Sequence, residues 1–233
     1  MTKRTIGLGL MAKPPRPGIA KTRLAAAIGA AAAADLAAAF LMDGAAIAAA
    51  AAGPADLCCE VFYRPADGAA EIAALVGQDW PMVFCDRGEL GATMWDVLFR
   101  LLARHPAGAM VMGADLPLVP PAVLGEAAEV LRRGGERAVV VMPSADGGYG
   151  LIGVRSALAA PLFAPMAWST AGVLAETLRR AGAEGLTVHL LPEQHDVDEP
   201  EDLAWLRAAL AAAPGAAPAT RAALARLDGG AGG

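Results

Sequence analysis

At 233 residues the chain is long enough to bury a sizeable core, as one large α/β domain or two small ones. Its 19 Lys plus Arg against 24 Asp plus Glu leave a formal charge of −5, which argues against the broad basic face of a general nucleic-acid binder. Hydrophobic content is 56%, but much of it is alanine, a strong helix former and a weak hydrophobe.

Residues 5–12 (TIGLGLMA) read as a short buried strand. The next segment, residues 13–23 (KPPRPGIAKTR), holds Lys13, Arg16, Lys21 and Arg23 among three prolines and Gly18. Residues 22–52 are helical with a break expected at Gly29. A strand is expected over 57–63, a helix over 68–76 and a short strand over 81–85. Leu90, Met94, Val97, Leu98, Leu101 and Leu102 are spaced for a helix over 90–104. A strand at 107–113 leads to ADLPLVPP, and Pro121 is well placed in the first turn of a helix over 121–133. Strands follow at 137–143 and 149–154, a helix at 170–182, a strand at 186–192 and an amphipathic helix at 199–212. Residues 213–233 are low in complexity and end in glycines, so a mobile tail is expected beyond a single domain spanning 1–212.

Other readings are weaker. Residues 156–175 lack charge and have the length of a membrane span, but two prolines, two serines and a threonine argue against one. Asp35 and Asp43 interrupt the apolar run at 24–55. MTKR before TIGLGLMA imitates a signal peptide, yet no A-x-A site follows and Lys13 arrives at once. Cys58, Cys59 and Cys85 are odd in number and show no metal-type spacing. A reduced, cytoplasmic protein without membrane attachment is therefore expected, with the cysteines of 58–59 as strand core.

Strands alternating with helices imply a mainly parallel sheet with helices on both faces, and ligands bind beyond the carboxyl ends of such strands. Four polar segments fall there. The Lys/Arg loop is suited to polyphosphate: cations neutralise oxygens, Gly18 permits close backbone approach, and the helix start adds N–H donors. A solvated basic loop is the plainer alternative. Asp115, just past a strand, is a candidate ligand for a hard divalent ion, or a turn cap. Asp196 and Asp198 offer a second carboxylate; an extended backbone is expected to aim them apart, so that only one faces the cleft. Glu199, Glu201 and Asp202 suit the start of the last helix. In SADGG, Asp146, Gly147, Gly148 and Tyr149 either form a plain turn or admit a substrate. Trp168, Ser169 and Thr170 either cap a helix or line an acceptor pocket.

In order, KPPRPGIAKTRL, GADLP, DGGYGLIG, WST and DVDEPEDL resemble the bacterial glycosyltransferase-like, cofactor-guanylyltransferase-like family, often named radical-SAM/selenodomain-associated transferases. The resemblance covers roughly residues 3–210. It implies an α/β fold of the GT-A, nucleotide-diphospho-sugar transferase type: a three-layer α/β/α sandwich with a mainly parallel sheet. Molybdenum-cofactor nucleotidyltransferases and 2-phospholactate guanylyltransferase are related to that family. By resemblance Lys13, Arg16, Lys21 and Arg23 meet nucleotide phosphates, and Asp115 with Asp196 or Asp198 holds Mg²⁺ (or Mn²⁺). One departure stands out: residues 88–94 read GELGATM, with Thr93 where the family pattern has an arginine.

The expected activity is transfer of a nucleotidyl group from an NTP to a phosphorylated small-molecule acceptor with release of pyrophosphate. Lys21, Arg23 and Asp115 are the expected catalytic residues. A glycosyltransferase using an NDP-sugar is the alternative, and a non-catalytic nucleotide-binding protein is a third reading from another class.

Overall fold

Alternation along the strands decides which side chains meet which layer of helices. The computed structural model describes residues 4–230. Its strands are β1 (Ile6–Ala12), β2 (Leu57–Tyr63), β3 (Met82–Phe84), β4 (Ala109–Gly113), β5 (Ala138–Pro143), β6 (Tyr149–Val154) and β7 (Thr187–Leu190). The helices are α1 (Thr22–Ile28), α2 (Ala30–Ala52), α3 (Ala69–Val76), α4 (Leu90–Arg104), α5 (Pro121–Arg133), α6 (Val173–Ala183), α7 (Asp202–Ala212) and α8 (Pro218–Gly230). Short 3₁₀ helices span Ala66–Gly68 and Ala157–Phe163.

All seven strands join one sheet in the order β3-β2-β1-β4-β6-β5-β7. Every pairing is parallel except those of β6, which runs antiparallel between β4 and β5. This is the mainly parallel α/β/α sandwich expected from the sequence. Alternate residues face alternate layers. On β1, Ile6, Leu8 and Leu10 face α2 and α5 alongside Met110, Met112, Val140 and Met142. Ala109, Val111, Val139, Val141 and Phe62 face α4 and the 157–163 turn on the other side. Both faces are covered, so neither can be polar.

The alanine-rich α2 has the length and composition of a membrane-crossing helix. Here it lies against the sheet, with Leu41, Ala45 and Ala48 in the first core layer and Ala33, Leu36 and Phe40 in a third cluster with α1, α7 and α8. Asp35 is exposed, whereas Asp43 is 3% exposed.

Asp43 explains the largest departure from expectation. Residues 218–230 are a helix, not a mobile tail. The Asp43 carboxylate accepts hydrogen bonds from the amides of Ala219 (3.1 Å) and Thr220 (2.8 Å) and from the Thr220 hydroxyl (2.6 Å). A carboxylate at a helix start satisfies free N–H groups and meets the positive end of the helix dipole. The cap lies 175 residues away in sequence from its helix, so no local pattern announces it. Residues 231–233 of the expected tail lie outside the described residues.

Candidate active site

The carboxyl ends of β1, β2, β4 and β5 and the amino end of antiparallel β6 open into one cleft of ≈ 560 Å³. Lys13, Lys21 and Arg23 reach it from the loop after β1, and Asp115 from the turn after β4. Asp146, Gly148 and Tyr149 line it, as do Trp168, Ser169 and Thr170. Asp196 and Asp198 complete the wall.

At its centre the Lys21 ammonium lies 2.9 Å from Asp115 Oδ2 and 3.2 Å from Asp198 Oδ1. The Lys21 side chain is only 8% exposed. Burial alone lowers its pKa, but the two carboxylates outweigh that and hold it above the usual lysine range. Lys21 in turn holds Asp115 below the usual carboxylate range. Gly113 makes this approach possible, because a Cβ there would lie 2.6 Å from Asp115 Oδ1. Lys21 also adopts a left-handed backbone (φ 50°, ψ 46°), as does Ser169 (φ 61°) across the cleft. Such conformations cost of order 1–3 kcal/mol outside glycine and gather at functional sites.

Asp196 and Asp198 both line the cleft, which corrects the expectation that they diverge. Residues two apart on an extended backbone share a face. Val197 between them is fully buried against Leu24 and Leu36 and pins that orientation. The two acids have different partners. Burial raises the Asp196 pKa, with Asp146 and Asp115 adding to the effect; Ser144 Oγ donates to it at 2.5 Å. Asp198 is paired with Lys21 and Arg23, and Arg23 also reaches Glu199 at 2.9 Å. Asp202 fastens this segment by accepting from the amides of Asp198 (2.8 Å) and Glu199 (2.7 Å). His195 joins the same anchor: its Nε2 is 2.8 Å from Asp202, and its ring stacks on Trp205.

Arg16 does not join the cleft. Its guanidinium is spent on Glu71 and Asp67 beside α3. Gly18 forms a turn with φ 78° and open space around it; it does not line the cleft, although Ile19 and Ala20 just after it do. Gly147 also faces away: its Cα backs onto the Ala171 carbonyl, and its φ of 86° serves the turn. Asp146 accepts from the Gly148 amide at 2.8 Å, so the turn reading and a cleft position hold together. Thr93 is 1% exposed, donates to the Glu89 carbonyl and accepts from the Arg87 amide. It is a capping side chain inside the first turn of α4, not a cleft residue.

Arg64 is the cleft cation that motif reading missed. It follows β2, so the rule that ligands gather at strand carboxyl ends was the available signal. It depresses the Lys13 pKa, second to burial of that amine. With Arg16 outside and Arg64 inside, the cleft holds four cations (Lys13, Lys21, Arg23, Arg64) and four aspartates (115, 146, 196, 198). Its formal charge is 4 − 4 = 0, not the +4 of the loop alone.

A family profile described as "Uncharacterized protein conserved in bacteria (DUF2064)" matches residues 45–170. The chain belongs to this family. The match takes in Asp115, the SADGG turn and the Trp168–Thr170 segment, and ends before Asp196. No curated protein matches the chain in sequence. Among solved structures, a provisionally assigned nucleotide-diphospho-sugar transferase from Desulfovibrio desulfuricans G20 is 25% identical. Its TM-score is 0.85, over 98% of this chain and 96% of that one. A Methanothermobacter nucleotidyl transferase is 15% identical with a TM-score of 0.51, over 88% and 95% of the two chains. Glucosyl-3-phosphoglycerate synthase from Mycobacterium tuberculosis, in complex with phosphoglyceric acid, is 16% identical with a TM-score of 0.53, over 86% and 75%. The DUF2064 chain thus has the nucleotide-diphospho-sugar transferase fold, shared by nucleotidyl and sugar transferases.

Proposed function

We propose that this chain is a nucleotide-utilising transferase whose reaction is nucleotidyl transfer to a phosphorylated small molecule. The observation that carries the reading is the convergence of Asp115 and Asp198 on one cationic group, Lys21 Nζ, inside a cleft that also holds Lys13, Arg23 and Arg64. Two oxygen-donor carboxylates meeting a single cation suit Mg²⁺ together with substrate phosphates. Asp115 and Asp198 would hold the ion, with Asp196 beside them. When bound, Mg²⁺ would neutralise phosphate oxygens and stabilise charge on the departing pyrophosphate.

The chain's own residues do the rest. Lys13, Arg23 and Arg64 bind the triphosphate, and Lys21, released from its carboxylates, stabilises charge at the leaving group. An acceptor phosphate oxygen attacks the α-phosphorus, the bond to the β-bridging oxygen breaks, and pyrophosphate leaves. Tyr149, Trp168 and Thr170 line the opposite wall and orient the acceptor. Little covalent chemistry is asked of the protein, so no nucleophilic side chain is needed. The zero formal charge of the metal-free cleft supports binding of the nucleotide as its magnesium complex rather than alone.

A second reading follows from the Desulfovibrio structure, whose assigned class is sugar transfer. There the same cleft holds an NDP-sugar and NDP leaves. The deciding experiment incubates the chain with Mg²⁺, each NTP or NDP-sugar, and a panel of sugar and small-molecule phosphates. Pyrophosphate release dependent on one NTP and one acceptor is expected. NDP release from an NDP-sugar would replace the proposal with the second reading, and neither product with any pair would defeat both.

A further inference from the structure

Three chemically reactive side chains meet far from the cleft. Cys58, Glu60 and His105 bring a thiol, a carboxylate oxygen and a ring nitrogen within 4.8 Å of one another. Cys58 and Glu60 stand two apart on β2, so they share the sheet face that packs under α4. His105 caps the carboxyl end of α4 and lays its ring over Gly7 on the neighbouring strand, where a Cβ would come within 2.9 Å of it. Cys58 is near the amino end of β2, roughly 17 Å along the strand from the cleft end at Tyr63.

The burial is unusual for these groups. Glu60 is 5% exposed and His105 is 3% exposed. Buried polar groups are nearly always hydrogen-bonded. Among the described residues the Glu60 side chain has one partner, Arg104, at 2.8 Å through Oε2. Among the described residues His105 makes no side-chain hydrogen bond, although its ring sits against Cys58 and Glu60. Neighbouring Cys59 points to the opposite face and donates to the Ala48 carbonyl, so the two cysteines are not equivalent.

We propose that Cys58, Glu60 and His105 form a second metal site, selective for a borderline transition ion of the Zn²⁺ class. Thiolate, imidazole and carboxylate are the ligand types Zn²⁺ takes, at about 2.0–2.3 Å each. A tetrahedral ion places its ligand atoms about 3.4–3.7 Å apart by those bond lengths, so atoms within 4.8 Å of one another close by about 1.4 Å at most. Half-buried Cys58 leaves the fourth position open to water. Arg104, 46% exposed, either stays on the outer carboxylate oxygen and orients it or swings into solvent. Binding releases the thiol proton, which burial otherwise holds in place. The ion ties the end of α4 to β2 and gives His105 the partner it lacks. Magnesium, a hard ion with little use for sulfur or nitrogen donors, belongs to the cleft instead.

The test titrates Zn²⁺ into the 233-residue chain against a chromophoric chelator, in an Asp115→Asn/Asp198→Asn background that removes the cleft carboxylates. One equivalent of tight binding is expected. Cys58→Ser and His105→Gln should each weaken it at least tenfold, and Cys59→Ser should leave it unchanged. Co²⁺ in place of Zn²⁺ should give a thiolate-to-metal absorption band that Cys58→Ser abolishes. Failure to compete with the chelator, or equal affinity in Cys58→Ser, overturns the site and leaves Glu60 and Arg104 as a structural ion pair. Among the described residues the Cys58 side chain makes no hydrogen bond, so its serine variant keeps the test decisive even where His105→Gln fails to fold.

Discussion

Replacing Lys21 by alanine probes the centre of the cleft directly. The ammonium is shared by Asp115 at 2.9 Å and Asp198 at 3.2 Å, on a side chain 8% exposed. Breaking a buried pair by removing one member costs about 3–5 kcal/mol, since the partner's charge is left behind. Here the two carboxylates are themselves 41% and 39% exposed, so water recovers part of the loss. Discounting for that screening leaves about 1–3 kcal/mol. In a chain of this length about 2–4 °C accompany each kcal/mol, so Tm should fall by about 2–12 °C. The vacated carboxylates then face each other without a cation, which makes them a better site for Mg²⁺. Calorimetry with and without Mg²⁺ should show a larger metal-induced rise in Lys21→Ala than in the parent. Saturation to about a hundredfold over Kd would return about 2.7 kcal/mol. Lys21→Gly serves as a control, because it removes the same charge but relieves a left-handed strain of about 1–2 kcal/mol. It should therefore be more stable than Lys21→Ala. A parent-like Tm in Lys21→Ala without metal, or an equal Mg²⁺ shift in both proteins, would refute the argument.

Three further outcomes are expected. Asp43→Ala strands two amides and a hydroxyl at the start of α8 and should cost about 2–4 kcal/mol in urea unfolding, most of it recovered by no surface substitution; a loss below about 0.5 kcal/mol would mean that α8 does not depend on its cap. Arg64→Ala should weaken nucleotide affinity by about 10–100-fold, one charge-assisted contact, while Arg16→Ala leaves it unchanged because Arg16 is held by Asp67 and Glu71; isothermal titration of both variants decides, and the reverse order would mean that the loop rearranges around the ligand. For Asp96, burial raises the pKa, but hydrogen bonds from Arg87, Cys85 and Arg100 outweigh it and the net shift is downward. Its stabilisation is therefore present above the ordinary carboxylate range and lost as pH falls through the depressed folded value, so Asp96→Asn should flatten the acid limb of a stability–pH curve.

Much of this protein can be read locally. The strand and helix series follows from hydrophobic period and from punctuation such as Gly29 and Pro121, since those signals act within a few residues. The side of the sheet on which the cleft opens also follows, because it depends only on strand direction. What sequence reading lacked was the direction in which each polar side chain points. Arg16 and Arg23 are equivalent in the motif, yet one is consumed by α3 and the other faces the cleft, a choice made by Asp67 and Glu71 more than fifty positions on. Arg64 enters the cleft without any motif. Asp43 looks like a blemish in an apolar run until α8 returns to it. Cys58, Glu60 and His105 show no ligand spacing, because a cap on α4 reaches β2 only once the sheet has formed. Period and turn chemistry are properties of neighbours in the chain, whereas ion pairing, capping and metal ligation are settled by neighbours in space.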